Sequence, residues 1–342
     1  MNRILVTGGT GYIGSHTVVE LQNSGYEVVI VDNLSNSSTD VLDGIASITG
    51  KKPAFEKVDC RDKQALADVF KKYPDVKAII HFAASKAVGE SVEKPLLYYG
   101  NNLGSVLNIL ELMGEQNVGN LVFSSSCTVY GQPDILPVTE DAPVKPATSP
   151  YGNTKQIAEE IIRDAVYADN RLKCIALRYF NPVGAHPSAA IGELPNGVPN
   201  NLIPFVTQTA IGIRECLRVF GDDYDTPDGS AIRDYIWVVD LAKAHVIAVE
   251  RLLGNKNRKG VEFFNLGTGK GLSVLEILNV FEKTAGVKVN RKIVARREGD
   301  VEKVWADPAF ANKELGWKAE TSTEEMLATA WAWEKALAAK RK

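Results

Sequence analysis

Cysteine is scarce in this sequence: the four present, Cys60, Cys127, Cys174 and Cys216, lie far apart with no C-x-x-C pair among them. That spacing excludes a disulfide framework and a thiolate metal centre, and the four read as free thiols of a reducing cytoplasm. Histidine is just as sparse. His16, His81, His186 and His245 show no H-x-x-x-H or other metal-ligand spacing, so no metal is expected and each reads as a packing or hydrogen-bonding residue. A nucleophile elbow is missing as well. So is an excess of positive charge: 39 Lys and Arg against 42 Asp and Glu leave a net −3, which argues against a nucleic-acid partner. No apolar run approaches the ~20 residues of a membrane span. The chain enters Ile4-Leu5-Val6 without the successive regions of a secretory signal, so a cytoplasmic protein with no membrane partner is expected.

What is present is an ordinary globular balance, 342 residues with 45% hydrophobic and 24% charged, enough for about two domains. Short apolar runs at Arg3–Thr7, Glu27–Val31, Ala54–Val58, Ala78–Phe82, Leu121–Ser124 and Cys174–Leu177 predict strands. Helical periodicity lies between them, after Ile13 and at Asp62–Lys72, Leu103–Gln116 and Tyr151–Ala168. Alternation of this kind predicts an α/β fold, a doubly wound parallel sheet covered on both faces. Beyond Tyr179 the pattern changes. Pro182 to Pro204 reads as a long loop, followed by a helix near Leu202–Ile213, a run Asp234–Val239, a helix near Leu241–Leu253, a strand Glu262–Leu266 and a final helix Thr323–Ala339. The expected division is 1–180 and 181–342, the second part a smaller mixed α/β unit, with some later segments returning to the first.

Between the first strand and first helix stands Thr7-Gly8-Gly9-Thr10-Gly11-Tyr12-Ile13-Gly14, with Gly8, Gly11 and Gly14 spaced as G-x-x-G-x-x-G. Glycines there permit a tight turn, approach of backbone N–H groups to a pyrophosphate, and close helix–strand packing. The helix N-terminus favours the phosphate charge. Asp32, 18 residues beyond Gly14 at the end of the second strand, is placed to accept hydrogen bonds from an adenosine ribose and to repel a 2′-phosphate, which predicts NAD rather than NADP. The sheet is therefore expected to be of the Rossmann type. Asp59, ending the third strand, reads equally as an acceptor for the adenine amino group or as a helix cap.

Tyr151 and Lys155 are four residues apart on a predicted helix and share one face. A tyrosine with a pKa near ~10 is a poor base at neutral pH. An ammonium at ~4 Å and an effective dielectric of ~20 contributes roughly 4 kcal/mol, or ~3 pKa units toward phenolate. The run Ser124-Ser125-Ser126-Cys127-Thr128 ends a strand, where ligands sit in open parallel sheets. One of its hydroxyls reads as a bridge between a substrate oxygen and Tyr151.

The glycine motif, Asp32, Ser126 and Tyr151-x-x-x-Lys155 together resemble the extended short-chain dehydrogenase/reductase family, and within it the UDP-sugar 4-epimerases. The matching segments run nearly end to end: TGGTGYIGSHT at Thr7, VDNLSNS at Val31, HFAASKAVGESVEKP at His81, FSSSCTVYG at Phe123, SPYGNTK at Ser149, LRYFNPVGAHPS at Leu177, GVPNNLIPF at Gly197, RDYIWVVDLA at Arg233 and RREGD at Arg296. The resemblance implies that Tyr12, Ile13, Asp32, Asn33, Asn36, Asp59, Cys60, Phe82, Ala83, Lys86, Asn101, Tyr151, Lys155 and Phe180 join the glycines around NAD. It implies a UDP-sugar among Lys86, Asn181, Asn201, Leu202, Phe220, Arg233, Arg297, Asp300 and Val304, so that the second domain binds the UDP-sugar. Tyr151 with Lys155 and Ser126 would then carry the acid–base chemistry at sugar carbon 4, through a 4-keto sugar. A small residue such as Val304, where some relatives place tyrosine, implies secondary use of UDP-N-acetylglucosamine and UDP-N-acetylgalactosamine.

Relatives that eliminate water place Asp-Glu after their catalytic threonine, whereas Cys127-Thr128 follow Ser126 here. A uronate epimerase or decarboxylase would need a cation for the sugar carboxylate and stays open at this point, whereas an NAD sensor would need no activated base. The sequence departs from the pattern at Gly100, where a polar residue is common, and at Cys127, where alanine is frequent. Members of the family are commonly homodimers, which points to helices Leu97–Gln116 and Tyr151–Ala168 as the interface.

Overall fold

Seven parallel strands form the centre of the computed structural model, which describes residues 2–297 and 300–341. The first half runs β1 (Arg3–Thr7), α1 (Tyr12–Asn23), β2 (Glu27–Asp32), α2 (Asp40–Thr49), β3 (Ala54–Lys57), α3 (Lys63–Lys72), β4 (Val76–His81), α4 (Val88–Glu93), α5 (Pro95–Gln116), β5 (Asn120–Ser126), α6 (Pro150–Ala168) and β6 (Lys173–Tyr179). The second runs β7 (Asn181–Val183), α7 (Leu202–Ala210), β8 (Leu217–Phe220), β9 (Ile232–Trp237), α8 (Val238–Leu253), β10 (Val261–Leu266), β11 (Gly271–Ser273), α9 (Val274–Ala285), β12 (Arg291–Val294), β13 (Lys303–Val304), α10 (Ala309–Leu315) and α11 (Thr323–Lys340).

The order across the main sheet is β10-β6-β5-β4-β1-β2-β3. The chain winds outward in opposite directions from β1 and β4, so a crevice opens between their carboxyl ends, where a doubly wound sheet takes its ligand. Strand alternation explains the two layers. Ile4, Val6, Val28, Ile30, Ile80 and Val122 pack with Val18 and Leu21 of α1 and Leu241 and Ala248 of α8. Leu5, Val29, Val31, Ile79, Leu121 and Phe123 pack on the other face with Leu66 of α3, Ile109 of α5 and Ile162 of α6. Each fully buried aliphatic side chain of this kind contributes about 1.5–3 kcal/mol, which is why central strands carry apolar residues on both faces.

The second half is interleaved with the first. β10 pairs in register with β6, and α8 covers one face, while β7, β9, β11 and β13 form a small mixed sheet and β8 pairs with β12. A third apolar cluster joins Val206, Ile277, Phe281 and Leu327 from α7, α9 and α11.

Several boundaries differ from the sequence expectation. The run Asp234–Val239 divides, its strand ending at Trp237 and α8 beginning at Val238. The segment Pro182–Pro204 is not all loop: β7 pairs with β9 and α7 starts at Leu202. Helices α2, α4, α9 and α10 and the short strands β8, β11, β12 and β13 go beyond the elements that periodicity predicts. For α9 a signal exists in the Ser273–Glu276 capping box, which satisfies the first free amides reciprocally.

Candidate functional site

The glycine turn is shaped by contacts no side chain would tolerate. Gly8 has φ +69°, and a Cβ on it would lie 2.8 Å from the Ala83 nitrogen; one on Gly14 would lie 2.3 Å from the Gly8 carbonyl. Gly11 caps α1 without a side-chain hydrogen bond, and the first turn of that helix holds no acidic residue. Its leading N–H groups are thus left for an anion, and the cradle fits the diphosphate of a dinucleotide. Phe82 and Ala83 close it from the end of β4.

At the end of β2, buried Asp32 accepts from Leu34 N at 2.9 Å and from the Ser37 hydroxyl and Thr10 N at 3.3 Å each. It ties the glycine turn to the loop carrying Asn33 and exposed Asn36. Asp59 does not cap α3; Asp62 does, accepting from Ala65 N. The Asp59 carboxylate instead accepts from Arg61 Nε and Nη2 and from Asn33 Nδ2, and the Arg61 hydrogen bonds hold it well below the usual carboxylate range. Cys60 is buried beside it. Asn101 donates to the Ser85 hydroxyl at 3.1 Å, and Tyr12 donates from its phenol to the Gly184 carbonyl at 2.7 Å, joining the two halves.

Tyr151, Lys155 and Ser126 converge at the carboxyl end of β5. Ser149 caps α6 and Pro150 occupies its first turn, which brings Tyr151 and Lys155 onto the sheet edge. The electrostatics, however, run opposite to the sequence expectation. The Lys155 ammonium donates to the Ser124 carbonyl at 2.6 Å and lies 6.0 Å from the centre of the Tyr151 ring. Burial pushes the Tyr151 phenol up to about 12, with the Ser126 hydroxyl pulling the other way. Burial also draws Lys155 down to about 8, against the nearby Glu159. The expected lowering of Tyr151 by Lys155 is therefore not present in the protein alone: desolvation of the phenolate outweighs a cation whose hydrogen bond faces away. Ser126 accepts from Thr128 N at 3.3 Å.

Beneath these three lies a network that sequence reasoning missed. Glu159, two turns beyond Tyr151, accepts from Ser125 at 2.6 Å and from Arg178 Nε and Nη2 at 2.9 and 2.7 Å. Arg178 reaches Tyr130, whose phenol donates to Asn265 at 2.6 Å. Asn102 bonds to Ser85 N and O and to Thr154, fixing the loop after β4 against α6. Among the described residues, the buried Thr128 hydroxyl near Ser126 has no hydrogen-bond partner. Such an orphaned group fits a polar ligand that enters the crevice.

In the second half, Arg233 Nη2 and Arg297 Nη2 both donate to Asp300 Oδ1, at 2.8 and 3.2 Å, and the Arg297 guanidinium lies 5.8 Å over the Phe220 ring. Two forked cations sharing one carboxylate retain donors for a diphosphate. Glu298 and Gly299 of the same segment lie outside the described residues. Asn181 pairs with Tyr235 in β7–β9. Asn201 precedes Leu202 at the start of α7 and donates to Glu193 at 2.5 Å, while Lys86 lies 3.7 Å from the same carboxylate. Val304 is buried, in register with Arg233, within a cluster that includes Phe180 and Tyr130. His16, His81 and His245 are buried, and among the described residues no group of His, Cys, Asp and Glu is arranged to hold a metal. No described helix is long and apolar enough to cross a membrane.

A family profile described as GDP-mannose 4,6 dehydratase matches residues 5–330. The UDP-glucose 4-epimerase of Bacillus subtilis is 54% identical over 331 residues, 97% of this chain and 96% of that one. The structure of UDP-glucose 4-epimerase from Bifidobacterium longum in complex with NAD+ and UDP matches with a TM-score of 0.94 at 47% identity, covering 98% of each chain. The UDP-Glc/GlcNAc 4-epimerase from Campylobacter jejuni matches with a TM-score of 0.83 at 35% identity, covering 98% of this chain and 100% of that one.

Proposed function

The chain belongs to the UDP-glucose 4-epimerases of the extended short-chain dehydrogenase/reductase family, and from that membership we propose how its own residues perform the reaction. It is an NAD-dependent isomerase that inverts carbon 4 of UDP-glucose and UDP-galactose through a 4-keto sugar. When bound, NAD supplies the acceptor and donor of hydride for that carbon. Tyr151 takes the proton of the sugar 4-hydroxyl and later returns it. Ser126 donates to the same sugar oxygen as its charge develops. Lys155, anchored by the Ser124 carbonyl, contributes positive charge behind the phenol. Arg233 and Arg297 hold the diphosphate, so the sugar turns over while its nucleotide stays fixed. Carboxylates suited to eliminating water do not follow Ser126, where Cys127 and Thr128 stand.

The observation that carries this reading is the convergence of Tyr151, Lys155 and Ser126 beside the glycine cradle. Purified protein given UDP-galactose and no added NAD is expected to form UDP-glucose and to release NAD or NADH on denaturation. Absence of both products overturns it.

A finer reading concerns the sugar. Val304 carries no aromatic ring beside Phe180, which favours secondary turnover of the N-acetylated UDP-hexosamines; the Campylobacter jejuni relative is named for both Glc and GlcNAc. We further infer a cytoplasmic homodimer, supported by free cysteines and by the apolar side chains that α4 and α5 expose: Val92 at 61%, Leu96 at 84%, Leu97 at 46% and Leu107 at 45%. Residues 1–180 are assigned to NAD and 181–342 to the UDP-sugar, with α8 and β10 returned to the first unit.

A further inference from the structure

The loop between β7 and α7 brings one carboxylate to the boundary of the two halves. Glu193 is largely buried, its side chain 12% exposed, and its Oε1 faces both Lys86, which follows β4 in the cofactor half, and Asn201, which leads into α7 in the substrate half. The support behind it is rigid. The Trp333 indole donates to the Glu193 carbonyl at 2.9 Å. A Cβ on the preceding Gly192 would lie 2.5 Å from the Trp333 ring, so the backbone is pressed flat against α11. The same helix holds α7, where Thr207 donates to Glu334 at 3.2 Å. Both partners of the 2.5 Å contact between Asn201 and Glu193 are therefore mounted on one helix.

A carboxylate at that distance settles which way the asparagine amide faces. The amide oxygen would meet it in repulsion, so the nitrogen must face it, with one N–H spent on Glu193. The second N–H and the carbonyl are then presented outward in a single orientation. We propose that Glu193 is a positioning residue for the nucleotide sugar: it sets the Asn201 amide donor-side forward and tethers Lys86 over the same boundary. The proposal rests on the epimerase reading for what Asn201 and Lys86 meet, and it concerns binding of the nucleotide rather than the chemistry at carbon 4. Truncating Glu193 frees the amide to flip and the lysine to swing away, and preorganisation is lost.

The test uses the NAD-loaded enzyme and two ligands, UDP-galactose for turnover and UDP alone for calorimetric titration. Glu193→Ala is expected to raise KM for UDP-galactose and Kd for UDP about 10-fold. It should lower kcat less than about 3-fold. Glu193→Gln, which keeps an acceptor for Asn201, should recover most of the UDP affinity. In a background of Asn201→Ala, the further change Glu193→Ala should add less than about 2-fold, because the coupled partner is already gone. Unaltered UDP affinity in Glu193→Ala overturns the proposal, as does a full effect in the Asn201→Ala background. Wild-type enzyme that leaves UDP-galactose unconverted overturns the epimerase reading instead, and the UDP titration still decides the role of Glu193.

Discussion

Lys155 sits one helical turn from Tyr151, yet its ammonium points to the Ser124 carbonyl at 2.6 Å rather than to the phenol. The pair is thus joined through the strand that also carries Ser126. This arrangement keeps Lys155 fixed and leaves the Tyr151 hydroxyl to Ser126 and to a substrate oxygen. Removing that hydroxyl removes the proposed proton acceptor.

Tyr151→Phe should therefore lose roughly 10²–10⁴-fold in kcat while retaining bound NAD. Single-turnover and steady-state rates on UDP-galactose, with the NAD content read after denaturation, check this. Ser126→Ala should lose about 10–100-fold, since it removes one donor and leaves the base. Wild-type-like turnover by the phenylalanine variant excludes Tyr151 as the base.

Stability should fall as the solution is acidified from neutrality. Burial draws His16 and His81 down to about 3 and His245 down to about 4. The unfolded chain binds protons at these sites below a pKa of ~6.5, while the folded chain does not. The unfolded state then holds more protons, so stability is fully present above that pKa and is lost as pH falls toward the folded values, by at most ~1.4 kcal/mol per pH unit per histidine. Urea unfolding at pH 7 and 5 measures the slope. His245→Asn, which keeps a donor toward the Leu241 carbonyl, should make it shallower; an unchanged slope contradicts the assignment.

Val304→Tyr should narrow the sugar preference. An extra ring beside Phe180 and Tyr130 removes volume, and a single methylene in a pocket already changes discrimination by ~1–3 kcal/mol. The ratio of activity on UDP-N-acetylgalactosamine to that on UDP-galactose is expected to drop at least about 10-fold. If the wild type ignores the acetylated sugar, or the ratio does not move, Val304 does not govern this choice.

Leu96→Glu combined with Leu107→Glu should abolish the proposed dimer, because charges would replace apolar side chains on the exposed face of α5. Sedimentation is expected to give twice 37.2 kDa for the wild type and 37.2 kDa for the variant. A wild-type monomer ends the dimer proposal.

Much of the sheet is legible in sequence because its central strands are buried on both faces and so carry unbroken apolar runs, as in Ile4-Leu5-Val6. Its ligand edge is legible because Gly8 and Gly14 sit where a Cβ has no room. The second half is harder to read. β11 and β13 have three and two residues, too few for any period to register. Tertiary partners are also invisible to local pattern: Glu193 lies in a segment that reads as loop, and its meaning comes from Asn201, Lys86 and Trp333. The orientation of Lys155 belongs to the same class. Spacing places it on the face of Tyr151, but only the position of the Ser124 carbonyl decides where its charge points.

The pairing of β10 with β6 has a consequence for synthesis on the ribosome. When Tyr179 emerges, β6 is an open edge, and the strand that covers it begins only at Val261. Residues 180–260 must be delivered first, and they include α8, which shields one face of the sheet. During that interval the nascent chain offers an apolar, unpaired strand, the kind of surface that chaperones occupy and that invites association between neighbouring chains. A gene fragment stopping at residue 180 would freeze the protein in that state. Expression of residues 1–180 by themselves should therefore yield inclusion bodies, and supplying the remainder as a separate polypeptide should restore material that stays in solution.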